Sequence, residues 1–173
     1  MSLLDRVTGL LADHAVPHAL IGAAALAVRG IARSTFDVDM LTTTDARVLD
    51  ASFWTSLAVV CEVDVRRGDS DDPLAGVVRV AARGQRPVDL IVGRYAWQSR
   101  AVARAEPSTT GPPVVTAADL VLLKLHAGGA QDHWDVRESL RQPDSEHLAA
   151  QVEAALQGVP RSMRAAWDDL RRG

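Results

Sequence analysis

Asparagine is absent from this chain of 173 residues, and lysine occurs once, at Lys124, against 18 arginines. Isoleucine is down to three residues beside 21 valines, the usage of a GC-rich coding bias, and under that bias a surviving lysine is informative. The lone Cys61 permits no internal disulfide and no thiolate zinc site, so a cytoplasmic setting is expected. Aromatic residues make up only 4%, and Trp54, Trp97, Trp134 and Trp167 are too scattered to form a stacking platform for bases. A net charge of −3 excludes the global basic field that tight, sequence-independent duplex binding needs. No apolar run reaches the roughly 18 residues of a membrane span. The first one is broken by Asp5, Arg6 and Asp13, so neither a secretory leader nor a membrane partner is expected. Repeats and low-complexity tracts are missing too, which leaves one soluble domain over residues 1–173.

What is present alternates between two periods. Leu3, Leu4, Val7, Leu10 and Leu11 have helical spacing up to Pro17. His18 to Gly22 reads as a short strand, Ala23 to Arg29 as a helix of small residues, and residues 35–41 as a strand. A helix is expected over 45–57, then strands over 59–66, 76–82 and 88–92, and a helix over 95–105. A Pro/Ser/Thr/Gly loop leads to helices bounded by Thr116 and Gly129 and by Asp132 and Arg141, and two more follow. The pattern implies an α/β (α+β) domain: a mixed sheet core at about 18–93 and a helical C-terminal part at about 95–173.

Aspartate is depleted in strands, yet Phe36-Asp-Val-Asp-Met40 puts Asp37 and Asp39 on one face and the apolar side chains on the other. Two carboxylates roughly 6 to 7 Å apart at their Cα atoms repel unless a cation lies between them, and hard oxygen ligands suit Mg²⁺ or Mn²⁺. The alternative is an amphipathic strand whose polar face carries two aspartates. Asp89 tilts the balance, because it interrupts the apolar run Val88-Asp-Leu-Ile-Val92, where a charge needs compensation. Three carboxylates from two strands can hold two divalent ions about 4 Å apart for phosphoryl chemistry. Asp64 competes for the third position but alternates cleanly with Val63 and Val65, as a solvated edge residue does.

Upstream, Gly22-Ala23 opens a helix whose free N–H groups suit phosphate oxygens, although a close-packed turn would look the same. Asp132 and Asp135 follow Gly128-Gly129 and read equally as an N-cap with a first-turn acid or as site residues. Arg94, Arg100 and Arg104 could line a groove for RNA, and Asp69, Asp71 and Asp72 a pocket for a cationic acceptor.

Gly22-Ala23, the small helix, Arg29-Gly30, Arg33-x-Thr35-x-Asp37-x-Asp39 and the isolated Asp89 together resemble the nucleotidyltransferase superfamily. Asp119-Leu-Val-Leu-Leu-Lys124-Leu-His-Ala with Asp132-x-x-Asp135 is similar to small bacterial AbiEii-type nucleotidyltransferases, the toxins of type IV toxin-antitoxin modules. The resemblance covers about residues 18–140 and departs at Ala23, where a Gly or Ser is usual and a Ser hydroxyl would add a contact. It implies the nucleotidyltransferase fold and transfer of NMP from an NTP to a hydroxyl of a tRNA, protein or small molecule, with a cognate antitoxin in the toxin case. It further implies that Asp37, Asp39 and Asp89 hold Mg²⁺ or Mn²⁺, with Asp89 as base toward the acceptor. Gly22, Ala23, Arg33, Thr35 and Lys124 would contact the nucleotide. An antibiotic nucleotidyltransferase and a catalytically silent nucleotide- or partner-binding module are the rival readings.

Overall fold

The period-two segments assemble into a mixed sheet in the computed structural model, which describes residues 1–31, 34–43, 46–109 and 111–172. The chain divides into two compact units, Met1–Val115 and Thr116–Gly173. In the first, five strands among the described residues, β1 (His18–Leu20), β2 (Val38–Thr43), β3 (Glu62–Arg67), β4 (Leu74–Ala81) and β5 (Val88–Gly93), lie in the order β1-β2-β5-β4-β3. Only β2 and β5 run parallel; the remaining neighbours are antiparallel. The helices of this unit are α1 (Leu3–Asp13), α2 (Gly22–Val28), α3 (Thr55–Ala58) and α4 (Ala96–Ala103).

Register decides which face each side chain occupies, because the strand period is two. Leu20, Met40, Leu90, Val78 and Val65 share one cross-strand row, and Val88 pairs with Val38 and Val80 in a neighbouring row on the same face. Met40, Leu90, Val78, Val80 and Val88 are wholly buried, and each such side chain contributes roughly 1.5 to 3 kcal/mol of apolar burial. The intervening row, on the other face, is Asp39, Asp89, Arg79 and Asp64, one polar residue from each of four strands.

The second unit contains α5 (Ala117–Ala127), α6 (Ala130–Ser139), α7 (Ser145–Ala155) and α8 (Arg161–Arg172). Thr116 caps α5 by accepting the Asp119 amide at 3.1 Å, and Gly128 ends it at a φ of 69° that favours glycine. Leu122, Val152, Met163 and Trp167 pack inside this unit, with Trp167 Nε1 donating to Glu153 Oε1 at 2.7 Å. No helix among the described residues is long and apolar enough to cross a membrane.

Several expected boundaries shift. The strand expected from Thr35 begins at Val38, because the Thr35 hydroxyl turns onto the Asp37 carbonyl and carboxylate and holds those residues in a bend. The helix expected over 45–57 breaks into 3-10 turns at Ala46–Leu49 and Ala51–Trp54 followed by α3. Asp50 causes the break by accepting the Ser52 amide at 2.9 Å and restarting the chain as a cap. Arg94 lies ahead of α4, and its guanidinium donates to the carbonyls of Asp69, Ser70 and Leu74 and pins that loop, so the three-arginine helix face does not form. Asp69 accepts the amides of Asp71 and Asp72, closing its own turn.

Candidate active site

The parallel pairing of β2 with β5 sets Asp39 directly opposite Asp89, and the bend ahead of β2 adds Asp37. One ligand oxygen from each of the three carboxylates lies within 4.8 Å of the others, all three residues being half-buried. Thr35 Oγ1 donates to Asp37 Oδ1 at 2.8 Å and fixes that carboxylate's rotamer. Thr35, expected from its β-branch as a strand opener or as a nucleotide contact, is in the structure the support of Asp37.

Gly22 supports Asp39. It has a φ of 63°, and a Cβ built on it would lie 2.1 Å from Asp39 Oδ2, so only glycine leaves room for the carboxylate beside the start of α2. The Ile21 amide donates to the Asp39 carbonyl at 2.9 Å and ties the turn to β2. Ile21 offers no side-chain cap, so the first N–H groups of α2, at Gly22 and Ala23, lack that protein acceptor.

Arg79, on β4 opposite Asp89, was not picked out from the sequence. Its Nη1 donates to Asp89 Oδ2 at 2.6 Å and lies 3.8 Å from Asp37 Oδ2. It is the one charged residue of β4, a signal that pointed to a partner across the sheet. Burial pushes the Asp89 carboxyl up from the usual range, the Arg79 charge opposes this and the Asp37 charge adds to it.

The donor set fits a hard divalent ion. Oδ1 of Asp89 is buried with no hydrogen-bond partner among the described residues, which leaves it available as a ligand oxygen. A cavity of about 520 Å³ adjoins Asp89 on the β4–β3 side, lined among others by Asp64, Arg66, Arg67, Asp72 and Arg79. Gly22 and Asp39 lie on the β1–β2 side of Asp89.

Arg33 lies outside the described residues. Lys124 is in the second unit, where Nζ donates to Asp132 Oδ1 and Asp135 Oδ2, both at 2.8 Å. Lys124 is 11% exposed and Asp135 fully buried. The expected capping is revised: Gly129 is the N-cap of α6, and Asp132 reaches back from the first turn to accept its amide at 3.1 Å. Asp135 lies a turn further on and also accepts from Gln131 Nε2 at 3.2 Å.

No family model matches this chain, and no curated protein matches it. Among solved structures, the solution structure of the antibiotic-resistance factor ANT(2'')-Ia superposes with a TM-score of 0.57 at 15% identity, over 98% of this chain and 95% of that one. A crystal structure of ANT(2'')-Ia in complex with adenylyl-2''-tobramycin gives a TM-score of 0.49 at 14% identity over the same shares. The solution structure establishes the likeness, and the chain has the nucleotidyltransferase fold.

Proposed function

We propose that the protein is a metal-dependent nucleotidyltransferase that moves a nucleoside monophosphate from an NTP to an acceptor hydroxyl and releases pyrophosphate. The observation that carries this reading is the convergence of Asp37, Asp39 and Asp89 to within 4.8 Å on a sheet of this fold, with Asp89 Oδ1 buried and without a hydrogen-bond partner among the described residues. Bound by these carboxylates, Mg²⁺ or Mn²⁺ would neutralise phosphate oxygens as a Lewis acid. The uncapped N–H groups of Gly22 and Ala23 bind phosphate oxygens at the start of α2. Asp89, which faces the acceptor side of the site, takes the proton of the acceptor hydroxyl. The acceptor oxygen forms a bond to the α-phosphorus, the α–β bridging bond breaks, and pyrophosphate leaves with that electron pair. The cavity on the far side of Asp89 from Gly22 is where the acceptor approaches in line.

Lys124 has two of its three N–H donors on Asp132 and Asp135, which favours an internal counter-cation within the second unit over a phosphate contact. The fold shared with an antibiotic-resistance factor favours a small hydroxylated acceptor, an antibiotic among them, over the tRNA or protein of a toxin. Incubation with labelled NTPs, Mg²⁺ and panels of aminoglycosides, total tRNA and protein extract tests both points. Label should pass to a small molecule in an Asp39-dependent manner. Label on tRNA would restore the toxin reading, and transfer that survives Asp39→Ala would remove Asp39 from the mechanism.

A further inference from the structure

The cavity beside Asp89 is lined by as many arginines as aspartates, Arg66, Arg67 and Arg79 against Asp64, Asp72 and Asp89. Its acidity is mostly spent. Asp64 accepts from Arg66 Nε at 2.7 Å and Asp89 from Arg79 Nη1 at 2.6 Å, so a cationic ligand would have to displace a guanidinium from either carboxylate. In the turn that carries Asp72, Asp69 uses its carboxylate on the amides of Asp71 and Asp72, and of these three aspartates it is Asp72 that lines the cavity.

The guanidinium groups are less committed. Arg66 and Arg79 are each engaged through a single nitrogen in these bonds, and neither forms another side-chain hydrogen bond among the described residues. Register makes them diagonal neighbours on the polar face: Arg79 pairs with Asp64, and Arg66 lies two residues further along β3. Diagonal neighbours stand about 7 to 8 Å apart, a gap that an anionic group with two or three oxygens can bridge. The Arg66–Asp64 pair is exposed, at 78% and 53%, so exchanging Asp64 for a ligand's oxygens costs little. The Arg66 charge is also felt at Asp89, the group read above as the base. We propose that this cavity takes an acceptor whose reacting hydroxyl is accompanied by an anionic group, a carboxylate or a phosphate, bound by Arg66 and Arg79, and that it disfavours polycations. This rests on the transferase reading above and names the class of acceptor for that site.

Isothermal titration calorimetry on the full chain tests it with matched hydroxyl compounds: glycerol 3-phosphate, glycerate, glycerol and 1,3-diaminopropan-2-ol. At least one anion should bind about tenfold or more tightly than glycerol, and the diamine no more tightly than glycerol. The tighter anion tells a phosphate-bearing acceptor from a carboxylate-bearing one. Arg66→Gln, on the edge strand, should keep the circular dichroism of wild type and lose about tenfold in affinity for the anions alone. Added salt, which needs no substitution, should weaken the anions and leave glycerol unchanged. Anions that bind no better than glycerol, a diamine that binds best, anion affinity within about threefold of wild type in Arg66→Gln, or anion binding indifferent to salt would each overturn the proposal. The two readings fail differently. Asp39-dependent transfer of label to polycations, undiminished in Arg66→Gln, refutes this proposal alone. Arg66-dependent anion binding with no label transfer from any NTP refutes the transferase reading, and with it the role of the anion as acceptor.

Discussion

At Asp89, burial works against the ionised carboxylate, the Arg79 guanidinium works for it, and the Asp37 charge reinforces burial; the balance raises the pKa in the folded state. An acid raised on folding is more stable protonated, so its contribution is fully present below the unfolded carboxylate range and is lost as pH rises through the folded value. Asp89→Asn should therefore raise the melting temperature of the metal-free protein at pH 7, with the gain shrinking as pH falls into the carboxylate range. Calorimetry in EDTA measures this, and a lowered melting temperature at pH 7 would show that the Arg79 pair outweighs burial. Gly22→Ala forces a positive φ on a β-carbon and drives it into Asp39; the strain alone is about 1 to 3 kcal/mol. Chemical denaturation should register that loss, and Mn²⁺ affinity should fall at least tenfold as Asp39 is displaced. The three aspartates were legible in the sequence because a charge inside an apolar strand demands a reason. The support from Thr35 and Arg79 was not, since an alternating strand shows parity but not which residue lies opposite.

Among the elements, the strands were the most legible and the segment 45–57 the least. Its apolar spacing suits a helix, but the cap at Asp50 and the bond from Trp54 Nε1 to the Val48 carbonyl at 2.8 Å favour tighter turns, and neither shows in periodicity. The α5–α6 pair poses the opposite case. Lys124 stood out by composition, and the structure sets it between two carboxylates of α6, one of them fully buried. Lys124→Met removes the cation that these two carboxylates share and should destabilise the full chain by about 3 kcal/mol or more in urea. Lys124→Arg should recover only part of that, because a planar fork does not replace an ammonium between two oxygens. A Lys124→Met protein of wild-type stability with impaired transfer would return Lys124 to the phosphate.

For the molecule as a whole, the site depends on a non-local pairing, because β2 and β5 are parallel neighbours with β3 and β4 between them in sequence. A ligand that binds this assembled site and not the unfolded chain stabilises the fold. Mg²⁺ with a non-hydrolysable NTP at about a hundred times its dissociation constant should add roughly 2.7 kcal/mol. A thermal shift should show this in wild type and lose it in Asp37→Asn; a shift that survives would place the nucleotide elsewhere. The sequence by itself determined the alternation of apolar and acidic positions, the glycine turn before α2 and the class of the fold, since these follow from local periods and from the cost of a buried charge. Only the tertiary structure decided that Asp39, Asp89, Arg79 and Asp64 form one row, because facing is local to a strand whereas register is set between strands distant in sequence.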